Sequence, residues 1–317
     1  MKKSLHMQLT SRKTDGTVAL SFVIILLIVA WAFMTGGSEP RYQGRALSMW
    51  LVDLDANKAG NVRERAKIVL TEAARKAAPR FIKTLRAKDS DFKLLMIGLA
   101  RRQGMAFGFR TADERREKAV GEFSRFSVGA IPVVTNLLDD PALADTAINL
   151  LCGYRLASAD PLIGALDHTN ASVRTHAALS LDALYVNCVR FHCYNLVQAP
   201  GWSGNFPTNV AVAAIVKLLK DESPDARASA AFALGDMREQ PESVIPALTE
   251  CLAETTDSQV RQAVAEALGR YGRRAIAAVS SLKQLMDDSD PAVRTVAERA
   301  LKKTDAREQN DRKEMNN

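Results

Sequence analysis

The chain is poor in the residues from which enzymes usually assemble a site. Of its 317 residues only four are histidine, and His6, His168, His176 and His192 have no evident ligand partner by spacing. It carries no Gly-rich phosphate loop, nucleophile elbow, paired-Cys zinc spacing or clustered carboxylate pair. These absences argue against an enzyme and against a resident metal or cofactor. Aromatic side chains make up 6% of the chain, whereas 47% is hydrophobic, much of it Ala and Leu. That balance suits helices packed through small side chains better than a sheet sandwich, and the chain reads as all-α.

Charge is missing from Gly16 to Ser38, and Val18 to Met34 is nearly pure hydrocarbon. As a helix this stretch of 23 residues reaches about 34 Å, enough for the hydrocarbon core of a bilayer. Lys2, Lys3, Arg12 and Lys13 precede it, against Arg41 and Arg45 in the near flank after it, so the positive-inside rule puts residues 1–16 in the cytoplasm. Residues 17–36 are then a transmembrane signal anchor, with everything beyond it periplasmic or extracellular. A cleaved signal peptide is the alternative, with Ala30-Trp31-Ala32 as the small-x-small site and a secreted product cut near Ala32. Net charge is +3 over residues 1–38, +9 over 39–120 and −5 over 121–317. The basic stretch interleaves both signs, as in Arg63, Glu64, Arg65 and Lys67, which is the pattern of a solvated helix face, and an exported location disfavours nucleic acid.

What the chain does have is a repeat. Equivalent positions recur at Arg63, Lys93, Ala144, Arg174, Arg227, Arg261 and Arg294, separated by 30, 51, 30, 53, 34 and 33 residues. One residue before each mark is apolar (Val62, Phe92, Leu143, Val173, Ala226, Val260, Val293), and a mostly small residue follows three later (Ala66, Met96, Ala147, Ala177, Ala230, Val264, Ala297). Together with an apolar residue seven later these fall on one helical face, where small side chains let neighbouring helices approach closely. Asp89, Asp140, Asn170, Ser223, Asp257 and Asp290 precede the marks by four residues as N-caps, with Pro141, Pro224 and Pro291 at the first helical position. Second helices open at Pro79, Pro132, Pro161 and Pro246, or run through Val210 to Leu219 and Val279 to Leu285. The period predicts one elongated stack over residues 59–303, preceded by a linker and a capping helix with Trp50 in 37–58 and followed by a polar, disordered tail, 304–317.

Two intervals exceed the period, placing insertions near 104–129 and 185–208. The first holds Phe107, Phe109, Phe123 and Phe126; the second holds Tyr185, Phe191, Tyr194, Trp202 and Phe206. In a chain so short of aromatics, Phe191, Tyr194, Trp202 and Phe206 are candidate contacts for a protein or peptide partner, although such rings can equally fold back over adjacent helices. Cys188, His192 and Cys193 lack a fourth metal donor and a geometry that turns all three to one tetrahedral ion. In an oxidising compartment Cys188 and Cys193 are a possible disulfide, with free thiols or a metal site as the alternatives. Cys152 and Cys251 read as small core residues. The recurrent Arg side chains are expected to pair with Asp residues of neighbouring repeats such as Asp257 and Asp290.

The unit Asp-x-x-x-Val-Arg, with Ala three and Leu seven residues beyond the Arg and a Pro-opened helix after it, resembles the HEAT and HEAT-like repeat family over roughly residues 59–303. Arg174, Arg261 and Arg294 keep the Val-Arg pair; Ala144 and Ala226 depart from the pattern but keep its spacing. Tyr42 to Leu51 also looks like a lead-in found before such repeats in exported bacterial proteins. The resemblance implies a right-handed α-solenoid of about seven helix-pair repeats that binds protein through an extended groove. It also brings in two enzyme classes as alternatives. Deoxyhypusine hydroxylases hold di-iron with His-Glu pairs, and this chain has no His-Glu dipeptide; for phycobilin lyases no pigment-handling motif transfers. The expectation is therefore a membrane-anchored, non-catalytic scaffold, with a repeat-fold enzyme or a structural spacer as alternatives. For the scaffold, deletion of residues 187–206 should weaken partner capture and leave helicity intact.

Overall fold

The computed structural model describes residues 41–54, 58–102, 110–190 and 206–304. The predicted anchor, 17–36, and the tail beyond Thr304 lie outside the described residues; among those described, no helix is long and apolar enough to cross a membrane. The chain divides into two compact units, Met1–Leu47 with Lys88–Glu114, and Ser48–Ala87 with Arg115–Asn317.

In the smaller unit, β1 (Arg41–Tyr42) and β2 (Arg45–Ala46) form an antiparallel hairpin with Arg41 opposite Ala46 and Tyr42 opposite Arg45, a small departure from the all-α expectation. Its helix α3 spans Asp91–Arg102. Before it, α1 (Leu47–Val52) and α2 (Gly60–Leu85) lead through the chain, and α4 (Ala112–Ser124) follows. The Asp89 carboxylate accepts from Lys93 Nζ at 2.5 Å and from the Ala112 N–H, so it joins the start of α4 instead of capping α3 as expected. The α3 cap is Ser90, whose hydroxyl accepts from Lys93 N. At the start of α4, Thr111 Oγ1 accepts from Glu114 N while Glu114 Oε2 accepts from Thr111 N, a capping box.

The larger unit carries the repeats. After α2 come α5 (Ile131–Asn136), α6 (Ala144–Gly153), α7 (Ala159–Ala165), α8 (Ala171–Tyr185), α9 (Thr208–Leu218), α10 (Pro224–Met237), α11 (Pro241–Glu254), α12 (Ser258–Tyr271), α13 (Val279–Gln284) and α14 (Pro291–Thr304). Helices α6, α8, α10, α12 and α14 bear the marked residues and pack side by side in chain order. The second helices α7, α9, α11 and α13 form the other layer, each against the marked helix that follows it. The expected inward positions, Val173, Ala177 and Leu181, Ala226, Ala230 and Leu234, Val260, Val264 and Leu268, and Val293 and Ala297, are fully buried.

Glycine sets the spacing of this layer. A Cβ on Gly235 would lie 2.6 Å from Ala267 Cα, and one on Gly269 2.9 Å from Ala300 Cα, so α10 meets α12, and α12 meets α14, backbone to backbone. Both glycines stand eight residues after their marks and both alanines six, a register the period carries from one repeat to the next.

Several boundaries differ from the sequence reading. Pro79 lies inside the continuous helix α2, because the run Ala73 to Ala78 consists of strong helix formers and no residue ends the first segment. Pro246 is likewise interior to α11, which Pro241 opens. Helix α6 begins at Ala144, and Pro141 falls in the turn before it. Asn170 and Asp257 cap α8 and α12 as expected, whereas Ser223 makes no capping bond. The first insertion does not project at its C-terminal end. Phe123 stacks on Phe81 of α2 with centroids 4.0 Å apart, Phe126 meets Phe123 edge-on, and both Phe123 and Phe126 are buried. Trp50 and Leu54 are buried as well, with the Arg65 guanidinium 5.9 Å from the Trp50 ring centre.

Candidate interaction surface

The turns between repeats are locked by the recurrent arginines, although their partners differ from those expected. Arg174 grips Asp221 with two bonds, Nε to Oδ2 at 2.6 Å and Nη2 to Oδ1 at 2.7 Å, and its Nη1 donates to the carbonyls of His168 and Thr169. Arg261 repeats the arrangement on Asp288, at 2.7 and 2.9 Å, with Nη1 on the Thr256 carbonyl. The partner carboxylate therefore stands two residues before the next N-cap, not on the cap itself. That place suits it because Asp221 Oδ1 also accepts from Ser223 N, and Asp288 Oδ1 from Asp290 N, so one side chain closes its own turn and receives the previous repeat. The same place is filled by His168, whose Nδ1 accepts from Asn170 N, and by Thr255, whose hydroxyl accepts from Asp257 N. Thr255 has no carboxylate to offer Arg227, whose Nη1 keeps the same carbonyl bonds as Arg174, here to Asp221 and Glu222. Burial opposes ionisation of Asp221, yet the Arg174 guanidinium and the Ser223 N–H hold its pKa below the usual carboxylate value. At Asp288 the Arg261 guanidinium leads, and the pKa is again lowered.

At the other end of the marked helices a second cluster ties the layers together. The Tyr185 hydroxyl donates to the Glu239 carboxylate, and Tyr271 donates to the Glu239 carbonyl at 2.7 Å. Glu239 sits between Arg238 at φ 54° and Gln240 at φ 45°, two left-handed non-glycine residues that turn α10 into α11. Gln240 also donates to Asn209 Oδ1 at 2.9 Å. Burial pushes the Tyr271 phenol pKa well up.

With the −1, +3 and +7 positions turned inward, the +5 position of each marked helix faces out. Leu179, Phe232, Glu266 and Arg299 form this row, one from each of α8, α10, α12 and α14. Leu179 is 36% exposed and Phe232 38% exposed. The Arg270 guanidinium lies 4.5 Å over the centre of the Phe232 ring and is held there by Glu266 at 3.2 Å and Asp236 at 3.4 Å. An aromatic ring roofed by an Arg and flanked by a leucine on the next helix is the composition of a binding hot spot. Charge fixes its polar edge. Among the described residues no group of three or more His, Cys, Asp or Glu side chains is placed to hold a metal ion.

Of the partner contacts expected from the sequence, Phe191, Tyr194 and Trp202 lie outside the described residues. Phe206 is buried and packs edge-to-face on Tyr185, so it serves the fold. The chain stays helical through Tyr185 and continues in a wide π-type turn, Val186–Arg190, that includes Cys188; Cys193, and with it the possible Cys188–Cys193 bond, lies outside the described residues. Buried Cys251 has its thiol pKa raised by loss of hydration, and Cys152 donates to Ser180 Oγ, in keeping with structural thiols. The Leu179–Phe232 row was not singled out from the sequence, although the same period that marks the inward positions marks it by exclusion.

These features define a helical-repeat protein built from stacked helix pairs. Residues 212–302 match the family described as HEAT repeats. No curated protein matches the chain. Among solved structures, an engineered protein is 20% identical, with 82% of this chain and 96% of that one covered at a TM-score of 0.40. The complex of CpcE and CpcF of phycocyanin lyase from Nostoc sp. is 22% identical, covering 55% and 64% at 0.41. Human deoxyhypusine hydroxylase in complex with glycerol is 19% identical, covering 82% and 96% at 0.28. Likenesses at these identities and scores say nothing about activity.

Proposed function

We propose that this chain is a non-catalytic scaffold, held at the membrane by Val18 to Met34 with its repeats outside the cytoplasm, that captures a protein or peptide partner of the cell envelope on the outward face of its marked helices. The observation that carries this reading is the row Leu179–Phe232 on side-by-side helices, exposed apolar groups on a frame whose polar groups are engaged in holding its turns. A rigid layer of parallel helices presents a large surface at fixed spacing, which suits recognition of an extended partner. The aromatic segment within 191–205 flanks the same repeats in sequence and is a second candidate contact.

The test is affinity capture from membranes with full-length protein, comparing wild type with the double variant Leu179→Ser, Phe232→Ser and with a chain lacking 191–205. The narrower deletion spares Phe206 and the helical turn through Arg190, which removal of 187–206 would cut from the fold. Loss of one reproducible partner from the double variant, with unchanged helicity, supports the face; an unchanged set of captured proteins from both variants rejects it.

A further inference from the structure

Helix α3 departs from every other marked helix. The repeat pattern assigns Phe92 and Met96 to the core, yet they are 72% and 49% exposed, and Ile97 is the buried residue of the helix. Ile97 stands four residues after Lys93 where the pattern buries the third, so α3 is turned by about 100°, one residue's rotation. Leu95 and Leu99, 60% and 43% exposed, join Phe92 and Met96 at i, i+3, i+4, i+7 spacing. They make a continuous apolar stripe along a helix of 12 residues. Lys88 stands before the helix and Arg102 at its end, within the stretch 39–120 that carries a net +9, while Lys93 is paired with Asp89 and Arg101 with Glu114, each at 2.5 Å.

We propose that α3 is an interfacial helix that lays Phe92, Leu95, Met96 and Leu99 into the headgroup boundary of an anionic bilayer. The inference rests on the anchored reading above, and chain length favours lipid over another occupant. Only residues 35–40 separate Met34, the end of the apolar run, from Arg41, the first residue of β1 in the same unit, and the seven residue-to-residue steps reach at most about 25 Å even fully extended. A segment that spans the membrane thus keeps α3 beside the bilayer at high effective concentration, so a stripe too short to bind alone suffices as a second attachment. Lys88, Arg102 and the net positive charge of residues 39–120 complement anionic headgroups.

Photolabelling by diazirine-tailed phospholipid tests this on the full-length protein reconstituted into vesicles of phosphatidylcholine with phosphatidylglycerol. Trypsin cuts after Lys93 and Arg101, releasing Leu94 to Arg101 as one peptide with most of the stripe. The expected result is lipid adducts on this peptide as well as on Val18 to Met34, several-fold above any on the α11 region and falling several-fold when phosphatidylglycerol is omitted. Adducts on Val18 to Met34 but none on Leu94 to Arg101 overturn the proposal and leave the anchor standing, as does a crosslink of that peptide to a second copy or another protein in place of lipid. Equal labelling in pure phosphatidylcholine overturns the anionic requirement. Absence of adducts from both peptides removes the anchor and the proposal together. The variant Leu95→Glu, Met96→Glu should lose α3 adducts while keeping those on Val18 to Met34, with circular dichroism confirming retained helicity.

Discussion

Replacing Gly235 by alanine should destabilise the repeats, although alanine is the better helix former. Helix propensity alone favours the change by about 1 kcal/mol. Against it, the new Cβ would fall 2.6 Å from Ala267 Cα and 2.7 Å from Ala267 Cβ, where carbon atoms settle at about 3.5–4.0 Å. The atoms it meets belong to the backbone and to a methyl with no rotamer, so α10 and α12 must part by about 1 Å along a contact that includes the fully buried Ala230, Ala231 and Leu234. Overpacking of this kind costs about 1–3 kcal/mol, and a gap of about 1 Å forfeits a quarter to a half of each dispersion contact beside it. The sum is a loss of about 1–2 kcal/mol. Gly164 in α7 is the control, because it is helical and exposed and a methyl added there would have nothing within 4 Å, so Gly164→Ala should stabilise by about 0.5–1 kcal/mol. Urea titration of full-length protein in mild detergent, followed by far-UV circular dichroism, reads both. A Gly235→Ala midpoint at or above wild type would refute the close-contact argument.

The Arg–Asp turns make further predictions. Asp288→Ala should cost about 2 kcal/mol by leaving Arg261 without its bidentate partner, and a double-mutant cycle with Arg261→Ala should show coupling of about 1 kcal/mol or more in thermal unfolding. Because Asp221 and Asp288 titrate lower in the folded than in the unfolded chain, their stabilisation is present above the ordinary carboxylate value of about 4 and is lost as pH falls through the folded values. Acid unfolding of Asp288→Asn should be correspondingly less steep than that of wild type. Thr255→Asp, which supplies the carboxylate missing opposite Arg227, should stabilise the fold by about 0.5–1 kcal/mol and raise the unfolding midpoint accordingly; an unchanged or lowered midpoint would count against the ladder. Tyr271→Phe should cost about 0.5–1.5 kcal/mol through the Glu239 carbonyl and increase hydrogen exchange at the α10–α11 turn.

The sequence made the marked helices legible because a period near thirty fixes which residues face inward, and Val173, Ala230 and Val264 lie where it puts them. It also held the outward row at +5, since whatever is not buried by the repeat must face solvent or a partner. Pairing across turns was less legible. Asp257 and Asp290 fit as caps and looked equally fit as Arg partners, and only the geometry of the turn separates them from Asp221 and Asp288, two residues upstream of their caps. The rotation of α3 was hidden for a related reason, as Phe92 and Met96 satisfy the local pattern and the departure shows only once Ile97 takes the buried place. Phe206 illustrates the ambiguity of an aromatic in an insertion, which hydropathy cannot assign to partner or core.

The most direct test of the scaffold reading is site-specific photocrosslinking in cells, with a benzophenone amino acid at Phe232 on the outward row and, separately, at Ala253 on α11 in the other layer. The account predicts one discrete crosslinked partner from position 232, lost when Leu179 is also replaced by Ser, and none from position 253. Equal crosslinking from both positions, or none from 232 in protein that is folded and in the membrane, would contradict it.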